Sequence, residues 1–491
     1  MHWSNFTAKK IIQEKGEKDL YTIATGITPS GFVHFGNFRE VVTGFFISES
    51  LKNIKKNVRF IFSWDDYDTF RKIPVQFEGK NLEPYLYQPI TKVPDPFGQS
   101  TSYAHFFKQE FEKELDLVGI TIESISQSEM YQKKTYNKDI LEVLEKKELL
   151  REILNRYRTE KLPEQWLPLN AYCSVCSKDK LTTLEYSNKK VHYICSCGNE
   201  VTENVLDSSS LKLPWRIDWP MRWRYEKVDF EAAGKDHSSQ GGSFDTAKLI
   251  SKEVFNYTPP TYLQYDFVSY KGLGGKMSSS KGNLVRLKDV LEIYSSEIIF
   301  WIFASYKPNV DFSICFDIDV IKTYENFNQF LDKTDDLFLE IKKLVHLSDQ
   351  KKLPSFRHFC NLLQIHNKDQ KIIQGFYDHD ISDFFYRACF WLENYAPEDF
   401  LFQLKTVQNI KIDQDFEFFK KFSLLLSHSF ESDTSLHEAI YALIHEYSLN
   451  PKDVFQKIYQ LMIDKNHGPK LAHFILEIGQ DKVKALIDQA L

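Results

Sequence analysis

The sequence predicts an α/β protein: a parallel sheet interrupted by an insertion with a cysteine ribbon, then an all-helical C-terminal region. Three observations carry this expectation. A strand–turn–helix–strand run occupies Tyr21 to Trp64, two cysteine pairs lie between Cys173 and Cys197, and helical periodicity dominates from about Asp319 to Leu491. The 491 residues exceed what one core fills and suggest roughly three units.

Tyr21 to Thr25 reads as a short buried strand, and Gly26-Ile27-Thr28-Pro29-Ser30-Gly31 as the turn after it. Phe38 to Asn53 has helical spacing, with Val41, Val42, Phe45, Phe46 and Leu51 on one stripe. Val58 to Trp64 is a second strand-length apolar run, ending in Asp65, Asp66 and Asp68. Strand, helix and strand in this order make a right-handed βαβ unit of a Rossmann-like parallel sheet, whose ligands sit beyond the carboxyl ends of the strands. Pro74 to Gly98 is punctuated as loop, and helices are expected over Tyr103 to Leu117 and Asn137 to Arg158. Strands return near Phe230 to Gly234 and Leu263 to Tyr270. Farther on, Asn450-Pro451 starts a helix, and Gly468 and Gly479 punctuate the last ones.

Apolar residues at 42% and charged residues at 26% are ordinary for a soluble globular chain. The net charge of −6 gives no overall pull on nucleic acid, so such a partner would need local basic faces. Met1 to Leu20 lacks an apolar signal core, and the longest apolar stretch, Ile298 to Ala304, is too short for a bilayer, so no membrane partner is expected. Four of seven cysteines cluster and the others scatter, which suits a reducing cytoplasm better than a secreted disulfide framework.

Two motifs carry chemistry. In Thr28 to Asn37, Gly31 and Gly36 permit close backbone approach, and His34 stands at a strand-to-helix junction, where free N–H groups attract phosphate. An isolated histidine there is more often an ordinary turn residue. Gly272 to Asn283 is a glycine- and serine-rich loop with Lys276 and Lys281; lysine and serine donors suit phosphate, although a surface linker could look similar. Taken as a pair, H-x-G-N after a first strand and K-M-S-x-S about 240 residues later resemble the signature motifs of class I aminoacyl-tRNA synthetases.

That resemblance implies an ATP site, with Mg, formed by Pro29, Gly31, His34, Gly36, Asn37, Lys276, Met277 and Ser279. It implies that His34, Asn37, Lys276, Ser278 and Ser280 stabilise charge as an amino-acid carboxylate attacks the α-phosphorus. Two positions depart from the pattern. Asn37 replaces a histidine, and Ser279 replaces the second lysine, which leaves Lys281 two positions out of register.

Members of the class that take glutamate carry an arginine beside the first motif, whereas Tyr21 to Phe38 contains no arginine or lysine. Glu40, Asp65, Asp66, Asp68 and Asp218 instead supply acid near strand ends, which suits a buried ammonium, although any single aspartate is more often a cap or a solvated loop residue. Thr25 to Gly31, Ser63 to Asp68, Trp215 to Trp223 and Gly234 to His237 resemble the lysyl subfamily of the class. The resemblance implies lysine activation and loading onto tRNA(Lys), with an arginyl- or glutamyl-type enzyme as the alternative. It implies that Gly26 and Thr28 contact the substrate backbone and that Trp215, His237 and Tyr265 line the pocket, while the charge argument makes Glu40, Asp65, Asp68 and Asp218 the candidates for the ammonium. Asp236 and His237 could also reach ribose or adenine.

Cys173-x-x-Cys176 and Cys195-x-Cys197 suit a tetrahedral structural zinc, with reduced thiols as the alternative. The expected domains are residues 1–84 and 215–270 as halves of the catalytic sheet, and 85–214 as a helical insertion with the ribbon at 170–202. By the resemblance, 271–318 forms the lysine loop and stem-contact region, 319–491 is a helical anticodon-binding domain, and the insertion meets the tRNA acceptor end. The oligomeric state is not legible.

Overall fold

A computed structural model describes residues 1–238, 241–271, 284–347 and 352–491. The chain divides into two compact units, Met1–Ile314 with Lys333–Gln350, and Cys315–Asp332 with Lys351–Leu491.

The first unit is built on five parallel strands: β1 (Leu20–Ile27), β2 (Asn57–Trp64), β3 (Glu123–Ser126), β4 (Val228–Gly234) and β5 (Thr261–Tyr265), in the order β5-β4-β1-β2-β3. The order reverses at β1, so the crevice between the carboxyl ends of β1 and β4 is the natural ligand position. The Lys/Glu-rich start, read only for its lack of a signal core, forms α1 (Trp3–Lys15) by burying Thr7, Ala8 and Ile11. Helix α2 (Phe35–Asn53) crosses from β1 to β2 and is buried on nearly every side. Its outer face meets the helix Ser296–Ser305, where the Phe45 and Phe300 rings stack at 5.3 Å. That explains why its apolar residues spread beyond one stripe.

Helix α3 (Tyr103–Leu117) follows the expected spacing. Two expectations are corrected. The single helix over Asn137 to Arg158 is two helices, Asn137–Glu145 and Lys147–Asn155, because Lys146 leaves helical geometry and its amine bonds the Val254 carbonyl. The strand over Leu263 to Tyr270 is also two, β5 and Val268–Tyr270, which pair in different sheets. Between them the Arg39 guanidinium takes the Asp266 and Phe267 carbonyls at 2.9 and 3.3 Å, together with Lys307 and Val310. Helices α4 (Trp215–Glu226) and α5 (Ser243–Glu253) flank β4. The insertion holds a three-stranded antiparallel ribbon, Leu181–Ser187, Lys190–Cys195 and Glu200–Asn204.

The second unit is built from helices joined by loops, including a non-helical stretch at residues 395–415. Its elements include α6 (Phe356–Ile365), α7 (Asp433–Glu446), Pro451–Ile463 and α8 (Leu471–Ile478), gathered around Phe418, Phe422, Leu436, Ile458 and Leu461. Asn450 caps Lys452 at 2.9 Å ahead of Pro451, the start expected of that pair. The helix Asp336–Leu344 lies in the segment that returns to the first unit, where Glu340 accepts from Asn5 at 3.1 Å.

Candidate active site

A cavity of about 70 Å³ opens where the strand order reverses. Gly26 of β1, Ser63 of β2, Glu231 to Ala233 of β4, Glu40 of α2, Trp215, Trp219 and Arg222 of α4, Asp65 and His237 line it. Gly26 is required because a Cβ there would stand 2.6 Å from the Ser63 carbonyl oxygen across the β1–β2 pair. With no side chain in the way, the Gly26 N–H donates to Glu40 at 2.9 Å, and Tyr265 donates its hydroxyl to the other Glu40 oxygen at 2.6 Å.

Three carboxylates face this small space, and burial pushes all of them up: Glu40 to about 8, Glu231 to about 7 and Asp65 to about 6. Glu40 and Glu231 accept hydrogen bonds from neutral donors, Gly26 and Tyr265 for the first and Trp223 for the second. Asp65 is paired with the Arg222 guanidinium at 2.6 Å, and that group also reaches Ser63 at 2.7 Å and Asp218 at 3.3 Å. Burial opposes the charge on Arg222, but Asp218 and Asp65 hold its pKa above the ordinary arginine range. The far wall is aromatic: Trp215 stacks on Trp219 at 4.9 Å, and the His237 ring lies 5.3 Å from Trp215. Such a wall beside undercompensated carboxylates favours an alkyl ammonium.

The acidic residues read from the sequence therefore sort into two groups. Glu40 and Asp65 line the cavity with Gly26, Trp215 and His237. Asp68 instead accepts from Thr28 at 2.9 Å and pairs with the Lys212 amine, and Asp218 is buried against Tyr131 at 2.5 Å. Asp66 accepts from Lys108, Ser126 and Ser128 at 2.8, 2.6 and 2.7 Å and fixes the chain as it leaves β2. Tyr265 reaches the cavity through Glu40. Sequence reasoning missed Arg222, Trp219, Ser63 and Glu231. Two signals for them existed: Trp215, Trp219 and Arg222 share a helical face, and Glu231 is the one charge within the apolar run Phe230–Gly234.

His34 is the N-cap of α2, and its Nδ1 accepts the Asn37 N–H at 3.2 Å, which puts the proton of the neutral ring on Nε2. Gly36 leaves room for that ring, since a Cβ would come within 2.9 Å of it. Tyr103 holds the preceding turn by donating to the Ser30 carbonyl at 2.7 Å, beside the buried Pro29 and Gly31. Lys276, Met277, Ser278, Ser279 and Ser280 lie outside the described residues. Residues on both sides of that stretch meet the start of α2. The Phe35 N–H donates to the Val285 carbonyl at 2.7 Å, and the Val268 carbonyl stands 3.2 Å from where a Gly36 Cβ would be.

The four ribbon cysteines converge, with Cys173–Cys197 and Cys176–Cys195 sulfur separations of 3.7 and 3.5 Å. Tetrahedral zinc with bonds of about 2.3 Å sets sulfurs about 3.8 Å apart, so the set fits that ion, and the tight C-x-C half closes the site as well as C-x-x-C would. The Asn199 amide donates to the Cys173 sulfur at 3.3 Å, a neighbour suited to a thiolate. Among the described residues no helix is long and apolar enough to cross a membrane.

Comparison with known proteins gives a consistent result. The family model described as tRNA synthetases class I (K) matches residues 1–351. A lysine–tRNA ligase of Borrelia garinii subsp. bavariensis is 44% identical over 517 residues, covering 99% of this chain and 99% of that protein. The corresponding ligase of Treponema pallidum is 38% identical, covering 99% and 98%, and that of Pyrococcus horikoshii is 35% identical, covering 98% of each. On a family match that spans most of the chain and relatives that align from end to end, the chain belongs to the tRNA synthetases class I (K).

Proposed function

We propose that the protein activates L-lysine with ATP and Mg to give lysyl-adenylate and transfers the lysyl group to tRNA(Lys) in the cytoplasm. The cavity at the β1–β4 switch carries this reading: three buried carboxylates and a tryptophan wall suit an ammonium and repel a glutamate side chain. Glu40, Glu231 and Asp65 would neutralise the lysine ammonium, and Trp215, Trp219 and His237 would cover its methylenes. Gly26, which keeps the strand edge open, and Thr28 would face the substrate backbone; Asp68, Asp218 and Tyr265 would hold the surrounding groups in place.

ATP would lie against Pro29, Gly31, Gly36 and Asn37, with the His34 Nε2–H and the α2 N-terminus directed at phosphate. Lys276, with Met277, Ser278, Ser279 and Ser280, would neutralise the departing pyrophosphate as the lysine carboxylate attacks the α-phosphorus. The placement of Val268 and Val285 beside α2 supports this use of the loop. A terminal tRNA hydroxyl then takes the acyl group and AMP leaves. The cysteine ribbon would hold a structural zinc. In the second unit a cavity of about 360 Å³, lined by Arg357, Phe400, Phe402, Lys465 and His467, suits an unpaired base between aromatic faces and cations.

ATP–pyrophosphate exchange with each of the twenty amino acids, with and without tRNA, tests the proposal. Lysine alone should support exchange and charging; a preference for arginine or glutamate would end it.

A further inference from the structure

A second cluster of ligand-bearing side chains lies in the helical unit, in a place that neither lysine activation nor the cysteine ribbon uses. His358 stands on α6, and His473 and Glu477 stand one turn apart on α8. The His358 Nδ1 and His473 Nε2 atoms are 3.3 Å apart, and the same His473 nitrogen is 3.7 Å from a Glu477 carboxylate oxygen. One ligand atom from each residue falls within a sphere that a single cation can occupy.

We propose that His358, His473 and Glu477 form a metal site for a divalent cation of the zinc class, which clips α6 to α8. The geometry fits that chemistry. Zinc bonded to imidazole nitrogen at about 2.0 to 2.1 Å in a tetrahedron separates its ligand atoms by about 3.3 to 3.4 Å. The observed nitrogen pair matches this spacing, and the carboxylate is within a few tenths of an ångström of it from His473, with all three ligand atoms within 4.8 Å of one another. The other nitrogen of His473, Nδ1, lies 3.8 Å from the Asp433 carboxylate at the start of α7, too far for a hydrogen bond but close enough for a small side-chain rotation to make one when a metal draws the ring. A carboxylate behind a ligating imidazole holds the tautomer whose free nitrogen faces the metal, and makes that nitrogen a stronger donor. Two imidazoles and one carboxylate leave a position for water, since the His473 side chain is 41% exposed. The ion would join helices 115 residues apart in sequence, with Asp433 tying in a third.

The alternative is a plain N–H···N bond between two neutral rings, and metal content separates the two. Full-length wild type, His473→Ala and His358→Phe are equilibrated with zinc, passed through gel filtration and analysed for bound metal. Wild type should retain one zinc per chain more than either variant. Cobalt(II) loading should show the same deficit in d–d absorption, while sulfur-to-cobalt charge transfer from the cysteine ribbon stays unchanged. The phenylalanine variant keeps a ring in the α6–α8 contact, so its deficit reports the ligand and not the packing. Wild-type metal content no higher than that of either variant overturns the site.

Discussion

Asp65 and Asp66, neighbours at the end of β2, belong to two acidic regions that behave in opposite ways. Asp66 and Asp68 are satisfied by lysines, hydroxyls and a backbone N–H: Lys108, the Ser126 hydroxyl and the Ser128 N–H serve the first, and Thr28 and Lys212 the second. Glu40, Glu231 and Asp65 are enclosed with one guanidinium among them, and Arg222 also serves Asp218. The same residue types thus give a structural staple in one place and a cation-seeking cavity in the other. Compensation decides which, since a buried charge without a partner favours any ligand that supplies one.

The largest test separates recognition from phosphoryl chemistry. Lys276→Ala should lower exchange turnover by about 10² to 10³-fold, the range for removing a charge-stabilising donor, with the lysine KM nearly unchanged. Lys281→Ala should lose far less, and equal losses would contradict a one-lysine motif. Next, Glu40→Gln and Glu231→Gln should each reduce kcat/KM for lysine by about 100-fold, or about 2.7 kcal/mol, without lowering the melting temperature. A melting temperature that falls with unaltered kinetics would make these residues staples as well.

Asp66→Asn should show the reverse, a stability loss of about 2 to 3 kcal/mol in urea unfolding with the lysine KM kept. The smallest effect concerns pH. Glu40, Glu231 and Asp65 have folded pKa values of about 8, 7 and 6, above those of the unfolded chain. The unliganded protein therefore loses stability as pH rises from about 4.5 to 8, where the unfolded chain binds fewer protons. Bound lysine favours the ionised carboxylates, so its KM should fall about tenfold between pH 6 and 8.5, with proton release on binding seen by calorimetry in buffers of different ionisation enthalpy. A KM flat with pH would erase the distinction between the two regions.

Much of this was legible beforehand for identifiable reasons. The β1–α2–β2 unit shows as near-continuous apolar runs with a helix between them, because strands buried on both faces leave that signature. His34, Gly36 and the cysteine pairs sit at fixed local spacings, so their neighbourhood is written in sequence order. What stayed hidden depends on long-range pairing. Nothing adjacent to Arg39 shows that it would break a strand by taking four carbonyls from residues 266 to 310. Nor could Asp65 be told from Asp66, because the lysine that neutralises Asp66 comes from α3 and the arginine that meets Asp65 comes from α4. The helical split at Lys146 likewise follows from a carbonyl far along the chain.

Gly26 leaves a lasting mark on how the cavity could change over generations. A side chain at that position would press on the backbone oxygen of Ser63, so its arrival would have to displace a whole strand. The wall formed by Trp215 and Trp219 consists of side chains on one helix and can be exchanged piece by piece. A descendant that drifts toward another amino acid would therefore be remodelled from the tryptophan side, with the glycine edge inherited intact.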